Sequence, residues 1–442
     1  MNARSGLDAI ADGAEKTMKS PRICLYGNFG AGNLGNEATL QAIIEQILRR
    51  CPDAQLVCFC TNPEDVRARH DIAALPAQAV DPAAARGFGA GARQGGLTRL
   101  LRIAFRRIPR ELVHWINCLR EVRRADMLVV AGTGIVCDYL TGPAGYPYQI
   151  FKLSTLAALC RVKLAFLSVG VGPIHHPLSR WLIKRSLALA YHRSYRDETS
   201  KQYVEDIGFN VRRDLVCPDV VFGLLNGVLA SGGVPGQRPV IGLGIKDYGS
   251  AQPEASRKYL DAMADFVAWL QERGYAVRLL IGDIEYDSSV IEAFVGVLKS
   301  RNISAAPPLL FAEPALTVEE LLRQVSETEA VISARYHNLV MALIQNKPVI
   351  ALSDHAKLNS VVTDFGLASY LLPLGSLNSR VLIDRFEQLE NDAERLKPQL
   401  KAKLEQYRQA LDALFATLLV EPGATARIAM APARPRPSTP AT

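Results

Sequence analysis

Short runs of consecutive apolar residues alternate along the chain with longer stretches whose apolar positions recur every three or four residues. The first kind predicts buried parallel strands and the second amphipathic helices. In the first half, strands are expected at 22–26, 55–60, 127–131, 163–169, 193–196 and 215–217. Helices are expected after the first strand and over "YQIFKLSTLAALCR", "LSRWLIKRSLALAYH" and "DETSKQYVEDIG". The stretch "LNGVLASGGVPGQRP" reads as a linker. The alternation then restarts with "PVIGLGI", a helix over "YLDAMADFVAWLQERG" and a strand in "AVRLLIG". "VEELLRQVSE", "AVISARYH", "NLVMALIQN" and "PVIALS" continue it. A last helix, 379–419, is expected to cross back onto the first half.

This pattern predicts an α/β protein of two Rossmann-like domains with parallel sheets, residues 21–230 and 238–420. Two such domains face one another across a cleft, with functional residues just after strands. Residues 1–20 mix charges throughout and are expected to be flexible. The tail, 421–442, is rich in Ala and Pro and is expected to be disordered.

Composition narrows the class. Of 442 residues, 49% are apolar and 21% charged, the balance of a soluble globular enzyme. No uncharged apolar run approaches the roughly 18 residues of a membrane span, and the first twenty residues lack a signal-peptide core. The eight cysteines show no metal-ligand spacing, which fits a reducing, cytoplasmic setting. No metal site is expected.

The net charge of +7 is concentrated: residues 83–124 carry ten arginines and two acids, Glu111 and Glu121. Within this insertion, "LTRLLRIAFRRIPRELVHWINCLREVRR" interleaves apolar residues with arginine at helical spacing. Such a segment can lie on an anionic membrane surface at the inner face of the cytoplasmic membrane. It can equally pack on the domain with its arginines covering apolar surface. Nucleic acid is not indicated, because no binding module accompanies the charge.

Candidate chemistry clusters after strands. "YGNFGAGNLGNEATL" contains Gly30-x-Gly32-x-x-Gly35, the spacing of a dinucleotide loop, between a strand and a helix. The acid that would hold a ribose is missing after Cys60, where Thr61 and Asn62 follow. Binding an anion, binding a polar substrate and simply turning tightly remain as uses for the loop. The most informative stretch is "VISARYHNLVMALIQNKPVIALSDHAKL". One strand ends on Arg335-Tyr336-His337 and the next on Ser353-Asp354-His355, with Lys357 following. Arg335 suits a carboxylate or phosphate, and His337 exchanges protons near neutrality. The plainer alternative pairs Arg335 with an acid and packs His337 on a helix. In "SYRDETS", Asp197 is either a helix N-cap with Arg196 as its ion-pair partner or part of a site.

Taken together, "YGNFGAGNLGNEATL", "SVGVGP", "SYRDETS" and above all "ARYHNLVMALIQNKPVIALSDHAK" resemble the polysaccharide pyruvyl transferase family, over residues 22–375 or so. The resemblance implies a GT-B-like fold. It also implies transfer of pyruvate from phosphoenolpyruvate to a sugar of a bacterial exopolysaccharide, or its polyprenyl-diphosphate-linked precursor, as a ketal. Phosphoenolpyruvate is then a co-substrate, and no cofactor is called for. On the matching positions His337 becomes the acid–base group, and Arg335, Arg196 and Lys357 become the donor contacts. Asn33, Glu37, Asp138 and His355 are candidates for acceptor or loop contacts. Position 36, usually Asp in the family, is Asn36 here, and the usual glycine run is loosened to "AGTG". Two other readings are a GT-B glycosyltransferase using a nucleotide sugar and a non-catalytic sugar-binding subunit of polysaccharide assembly.

Overall fold

The first apolar run, Ile23 to Tyr26, lies within strand β1 (Arg22–Tyr26) at the centre of a parallel sheet. The computed structural model describes residues 20–79, 108–139, 141–225, 238–246, 253–354 and 356–419. Residues 1–19, the first part of the basic insertion, the linker residues 226–237 and the tail lie outside them.

Around β1 are β2 (Gln55–Cys60), β3 (Ala73–Pro76), β4 (Met127–Val130), β5 (Lys163–Val169), β6 (His192–Tyr195) and β7 (Leu215–Val216). The spatial order is β3-β2-β1-β4-β5-β6-β7, with every pair parallel. Alternate residues of each strand point to opposite faces. Ile23, Leu25 and Val129 meet Ile43 and Ile47 of α1 (Leu34–Arg50) on one face. Cys24, Tyr26 and Val130 meet a layer of four helices on the other. These are α3 (Ile108–Val122), α4 (Tyr146–Cys160), α5 (Pro177–Ala188) and α6 (Glu198–Asp206); α2 (Pro63–His70) links β2 to β3.

The second sheet holds β8 (Val240–Gly244), β9 (Ala276–Leu279), β10 (Leu310–Phe311), β11 (Ala330–Ser333), β12 (Val349–Ser353) and β13 (Leu371–Pro373). Its order is β10-β9-β8-β11-β12-β13, again all parallel. Its helices are α7 (Pro253–Glu272), α8 (Ile284–Ser300), α9 (Val318–Ser326), α10 (Tyr336–Ile344) and α11 (Ala356–Asp364). The strands β3, β10 and β13 were not expected from the pattern. All three are sheet edges of two to four residues, and two contain proline, so they present no apolar run to read.

The closing helix, α12 (Ser379–Leu419), does cross between the domains. Its first turns place Phe386 edge-on against Phe266 and Trp269 of α7, with centroids 5.6 and 5.9 Å apart. Its last turns reach α1, where Asp412 pairs with Arg50 at 2.9 Å. Tyr407 packs edge-on against Phe222 at 4.9 Å, and Phe222 stacks on Phe365 at 5.5 Å. A single apolar core therefore runs from one face of the first sheet through the whole second domain.

Candidate active site

The glycine loop follows β1 and faces the second domain. Gly30 and Gly32 have φ of +74° and +73°, a region that L side chains rarely adopt. Gly30 N–H donates to Glu37 Oε1 at 2.8 Å, so the loop is tied to its own helix. Asn33 caps α1, its Oδ1 accepting from Asn36 N–H at 3.1 Å. Its Nδ2 donates at 2.8 Å to Asp283, which in turn caps α8. Leu34 N–H bonds Gly282 O at 3.1 Å, and Ile284 N–H bonds Gly32 O at 3.0 Å. The loop thus turns tightly and docks one domain on the other. The backbone donors at Gly30 and Leu34 that could have held a diphosphate are already engaged. The third glycine has a different use. A Cβ on Gly35 would lie 1.8 Å from His337 Nδ1, so the first turn of α1 leaves room for that imidazole.

His337 comes from the start of α10, directly after β11. The apolar residues of β11 and α10 bury both elements, and the Arg335-Tyr336-His337 junction is left at the cleft. Arg335 sits at the N-cap position of α10 and supplies no side-chain cap, so the helix begins with uncapped N–H groups. The Arg335 guanidinium is bonded through Nη2 to Asp287, which is fully buried. The other Asp287 oxygen accepts from Gly282 and Asp283 N–H, both at 2.9 Å. This fixes Arg335 and leaves its buried Nε without a hydrogen-bond partner among the described residues. Lys357, from α11, stands 3.9 Å from the centre of the Tyr336 ring. Lys246, just beyond β8, lines the same space, bonded to Asp354 at 2.6 and 2.7 Å.

These side chains surround a cavity of about 350 Å³ between the domains. Asn28, Asn33, Asn36, Ile135 and Tyr146 close it from the first domain. The helices α1, α8, α10 and α11 all begin at this cleft, and helix N-termini favour anions. The electrostatics follow from that crowding of positive groups. Burial, then Lys357, Arg196 and Arg335, push the His337 imidazole well below its usual range, so it is neutral in the empty cleft. Burial and the Arg196 charge bring the Lys357 ammonium down to about 7, with Asp219 and Asp197 opposing. Burial raises the Asp287 carboxyl, against the pull of Arg335 and two backbone N–H groups. Among the described residues, each of these cations except Lys357 is paired with an acid, Arg335 with Asp287, Lys246 with Asp354 and Arg196 with Asp219 and Asp197.

Of the residues expected from sequence, Arg335, His337, Lys357 and Asn33 meet at this cavity. Arg196 does not reach it. Its guanidinium lies behind Tyr336, 5.3 Å from the ring centre, and pairs with Asp219 at 3.3 Å and Asp197 at 3.6 Å. It acts on the site through its charge. Asp197 is also the N-cap of α6, bonding Ser200 N–H at 2.6 Å, so both structural uses weighed for that pair are present. Glu37 and Asp138 serve as loop braces. Glu37 holds Gly30 and faces His70 at 3.3 Å. Asp138 accepts from His175 and His176 N–H at 2.9 and 2.8 Å. His355 lies outside the described residues. Lys246 and Tyr336 line the cavity and Asp287 holds Arg335, placements that sequence reasoning did not assign. Lys246 follows a strand end, a signal that could have found it. No metal-ligand cluster is present among the described residues.

Comparison with known proteins now bears on this geometry. The family model "Polysaccharide pyruvyl transferase" matches residues 33–355. No curated protein matches the chain. Among solved structures, UDP-GlcNAc 2-epimerase from Neisseria meningitidis superposes with a TM-score of 0.57 at 11% identity, over 91% of this chain and 100% of that one. Another UDP-N-acetylglucosamine 2-epimerase gives 0.56 at 14%, over 90% and 96%. A glycosyltransferase from Rickettsia africae gives 0.53 at 10%, over 91% and 97%. At such identities the likeness shows the fold alone, two Rossmann-like domains facing across a cleft in the GT-B-like arrangement.

Proposed function

Because the chain belongs to the polysaccharide pyruvyl transferase family, we propose that it moves pyruvate from phosphoenolpyruvate to two hydroxyls of one sugar, closing a cyclic ketal. The sugar belongs to a bacterial surface polysaccharide or its lipid-linked precursor. One observation carries the reading: Arg335, Lys357, Lys246 and the His337 imidazole converge on one cavity beneath helix N-termini. The donor bears a carboxylate and a phosphate, and its charge answers that of the cavity. Arg335, which lines the cavity, is the group we assign to the donor carboxylate or phosphate.

Donor binding raises the proton affinity of His337 by adding negative charge beside it. The imidazolium then gives its proton to the methylene carbon, leaving the central carbon electron-poor. A first sugar hydroxyl attacks there and returns its proton to His337. The bond from the central carbon to the phosphate oxygen breaks, and a second hydroxyl closes the ring, its proton leaving with the phosphate. Asn28, Asn33 and Asn36, with Tyr146, offer the acceptor hydrogen-bonding groups and a ring to pack against. Incubation with phosphoenolpyruvate and sugar acceptors is expected to release inorganic phosphate in step with a ketal product. Phosphate release independent of any acceptor would refute the transfer. Release of a nucleoside diphosphate from a nucleotide sugar would make the chain a glycosyltransferase instead.

Protonation of Lys357 sets a pH dependence. Its ammonium, brought down to about 7, is charged below that pH and neutral above it in the empty cleft. An anionic donor binds the charged form, so it draws a proton onto the protein as pH rises above about 7. Affinity should then fall by up to tenfold per pH unit, while below about pH 6 the donor phosphate takes up its own proton. Calorimetric titrations in two buffers of different ionisation enthalpy would count the protons. Lys357→Met should take one proton off that count and make the alkaline limb shallower, leaving the share that His337 takes up. An affinity constant from pH 6.5 to 8.5 in the parent protein would exclude this role for Lys357.

A further inference from the structure

The helix α3 is apolar on both sides. Its inward side packs Cys118, Val122 and Trp115 on the core and adds polar contacts: Glu111 accepts from Lys152 Nζ and from Tyr148 Oη–H, both at 2.9 Å. His114 Nδ1 lies 3.0 Å from the same Lys152, which is fully buried, and His114 Nε2 lies 2.9 Å from Pro76 O. Trp115 Nε1–H donates to Tyr148 at 2.9 Å. The outward side carries Ile108, Leu112, Val113, Ile116 and Leu119, between 37% and 59% exposed. A helix that only packs on its domain carries a polar outward side. Here the core packing and the polar contacts fix the helix, and the apolar stripe faces away from the protein.

The neighbouring surface continues the pattern. In α5, two helices along the same layer, Leu178 and Trp181 are 49% and 46% exposed, with Arg185 beside the Trp181 ring. Neither α4 nor α5 contains an acid. The two acids of α3 are paired, Glu111 with Lys152 and Glu121 with Arg22 at 2.7 Å. Arg120, Arg123 and Arg124 are exposed beside the stripe, and Arg180 and Arg185 beside Trp181. No described helix is long and apolar enough to cross a membrane.

From these observations we infer that the α3–α5 face is a docking surface for an anionic lipid bilayer, on which the protein lies without spanning it. The apolar stripe and Trp181 enter the headgroup boundary, and the arginines meet anionic headgroups. A protein partner would require acids to match the same arginines, whereas the bilayer supplies them over any area. The buried Lys152–Glu111–His114 cluster and the core packing of Cys118 and Val122 keep the stripe outward before lipid is met. The inference does not rest on the pyruvyl transfer reading, and its test uses neither donor turnover nor acceptor.

The full chain is floated with phosphatidylcholine vesicles, alone or with about one third phosphatidylglycerol, at low and high salt. Binding is expected only to the anionic vesicles, and raised salt should release it. Arg120→Glu with Arg123→Glu and Arg185→Glu should weaken it roughly a hundredfold, at about fivefold per lost arginine. Leu112→Gln with Ile116→Gln should weaken it by about tenfold or more. Both variants should keep the parental melting temperature and phosphoenolpyruvate affinity. Equal binding to both vesicle types, parental binding by both variants, or no binding at low salt overturns the inference. A stable dimer crosslinked through Ile116→Cys also overturns it, because the face is then occupied by a second copy.

Discussion

His337→Ala is expected to lower single-turnover pyruvyl transfer by ~10²-fold or more while leaving phosphoenolpyruvate affinity within a few-fold of the parent. The separation follows from the geometry. Burial and the neighbouring cations disfavour the charged ring until the donor is held, so the proton it then takes up adds only that few-fold; Arg335, Lys357 and Lys246 remain to hold the anion. What is lost is the group that gives a proton to the methylene carbon and recovers it from the first hydroxyl. Arg335→Ala is a less direct probe of chemistry. It leaves Asp287 fully buried without its charge partner, which typically costs about 3–5 kcal/mol of stability. The His337 variant is measured by donor titration beside single-turnover transfer. Transfer at the parental rate would pass the proton-transfer role to Lys357, whose ammonium is brought down to about 7.

A second change far smaller in volume should be comparably damaging. Gly35→Ala adds one methyl group, but its Cβ would stand 1.8 Å from His337 Nδ1 and 1.9 Å from Cγ. Either the ring leaves its position, or the first turn of α1 withdraws and disturbs the cross-domain bonds at Leu34 and Ile284. Overpacking of this kind costs about 1–3 kcal/mol, a fall of about 1–3 °C in melting temperature for a chain of this size. Transfer should drop to about the level of His337→Ala. The double variant Gly35→Ala/His337→Ala should regain the lost stability, because the clash needs both side chains, without regaining transfer. If Gly35→Ala melts and turns over like the parent, the contact between α1 and His337 is not part of the working enzyme.

Much of this was readable before any coordinates. Central strands are long apolar runs because both faces of a parallel sheet are covered, so β1, β2, β4 and β5 stood out. Strand ends carry the site in such folds, and Arg335, His337 and Lys357 lie at two successive ends. What was missed or left open shares a cause: it depends on what a residue faces in three dimensions. Arg196 follows a strand end as well, yet Tyr336 from the other domain comes between it and the cavity. Glu37, a candidate for an acceptor or a loop contact, is a loop contact: it accepts from the backbone of its own loop. The orientation of α3 was ambiguous because its sequence places apolar residues on both sides. Lys152, buried one helix away, and the core packing of Cys118 and Val122 fix which side turns in.

The crossing of α12 sets a schedule for synthesis. The first domain is complete in sequence by Leu225, but the turns of α12 that cover α1 and Phe222 run through Phe415. They emerge about 190 residues later, roughly 10–40 s at bacterial and eukaryotic elongation rates. For that interval the nascent first domain presents an uncovered apolar face, and folding chaperones meet it before its own C-terminal helix does.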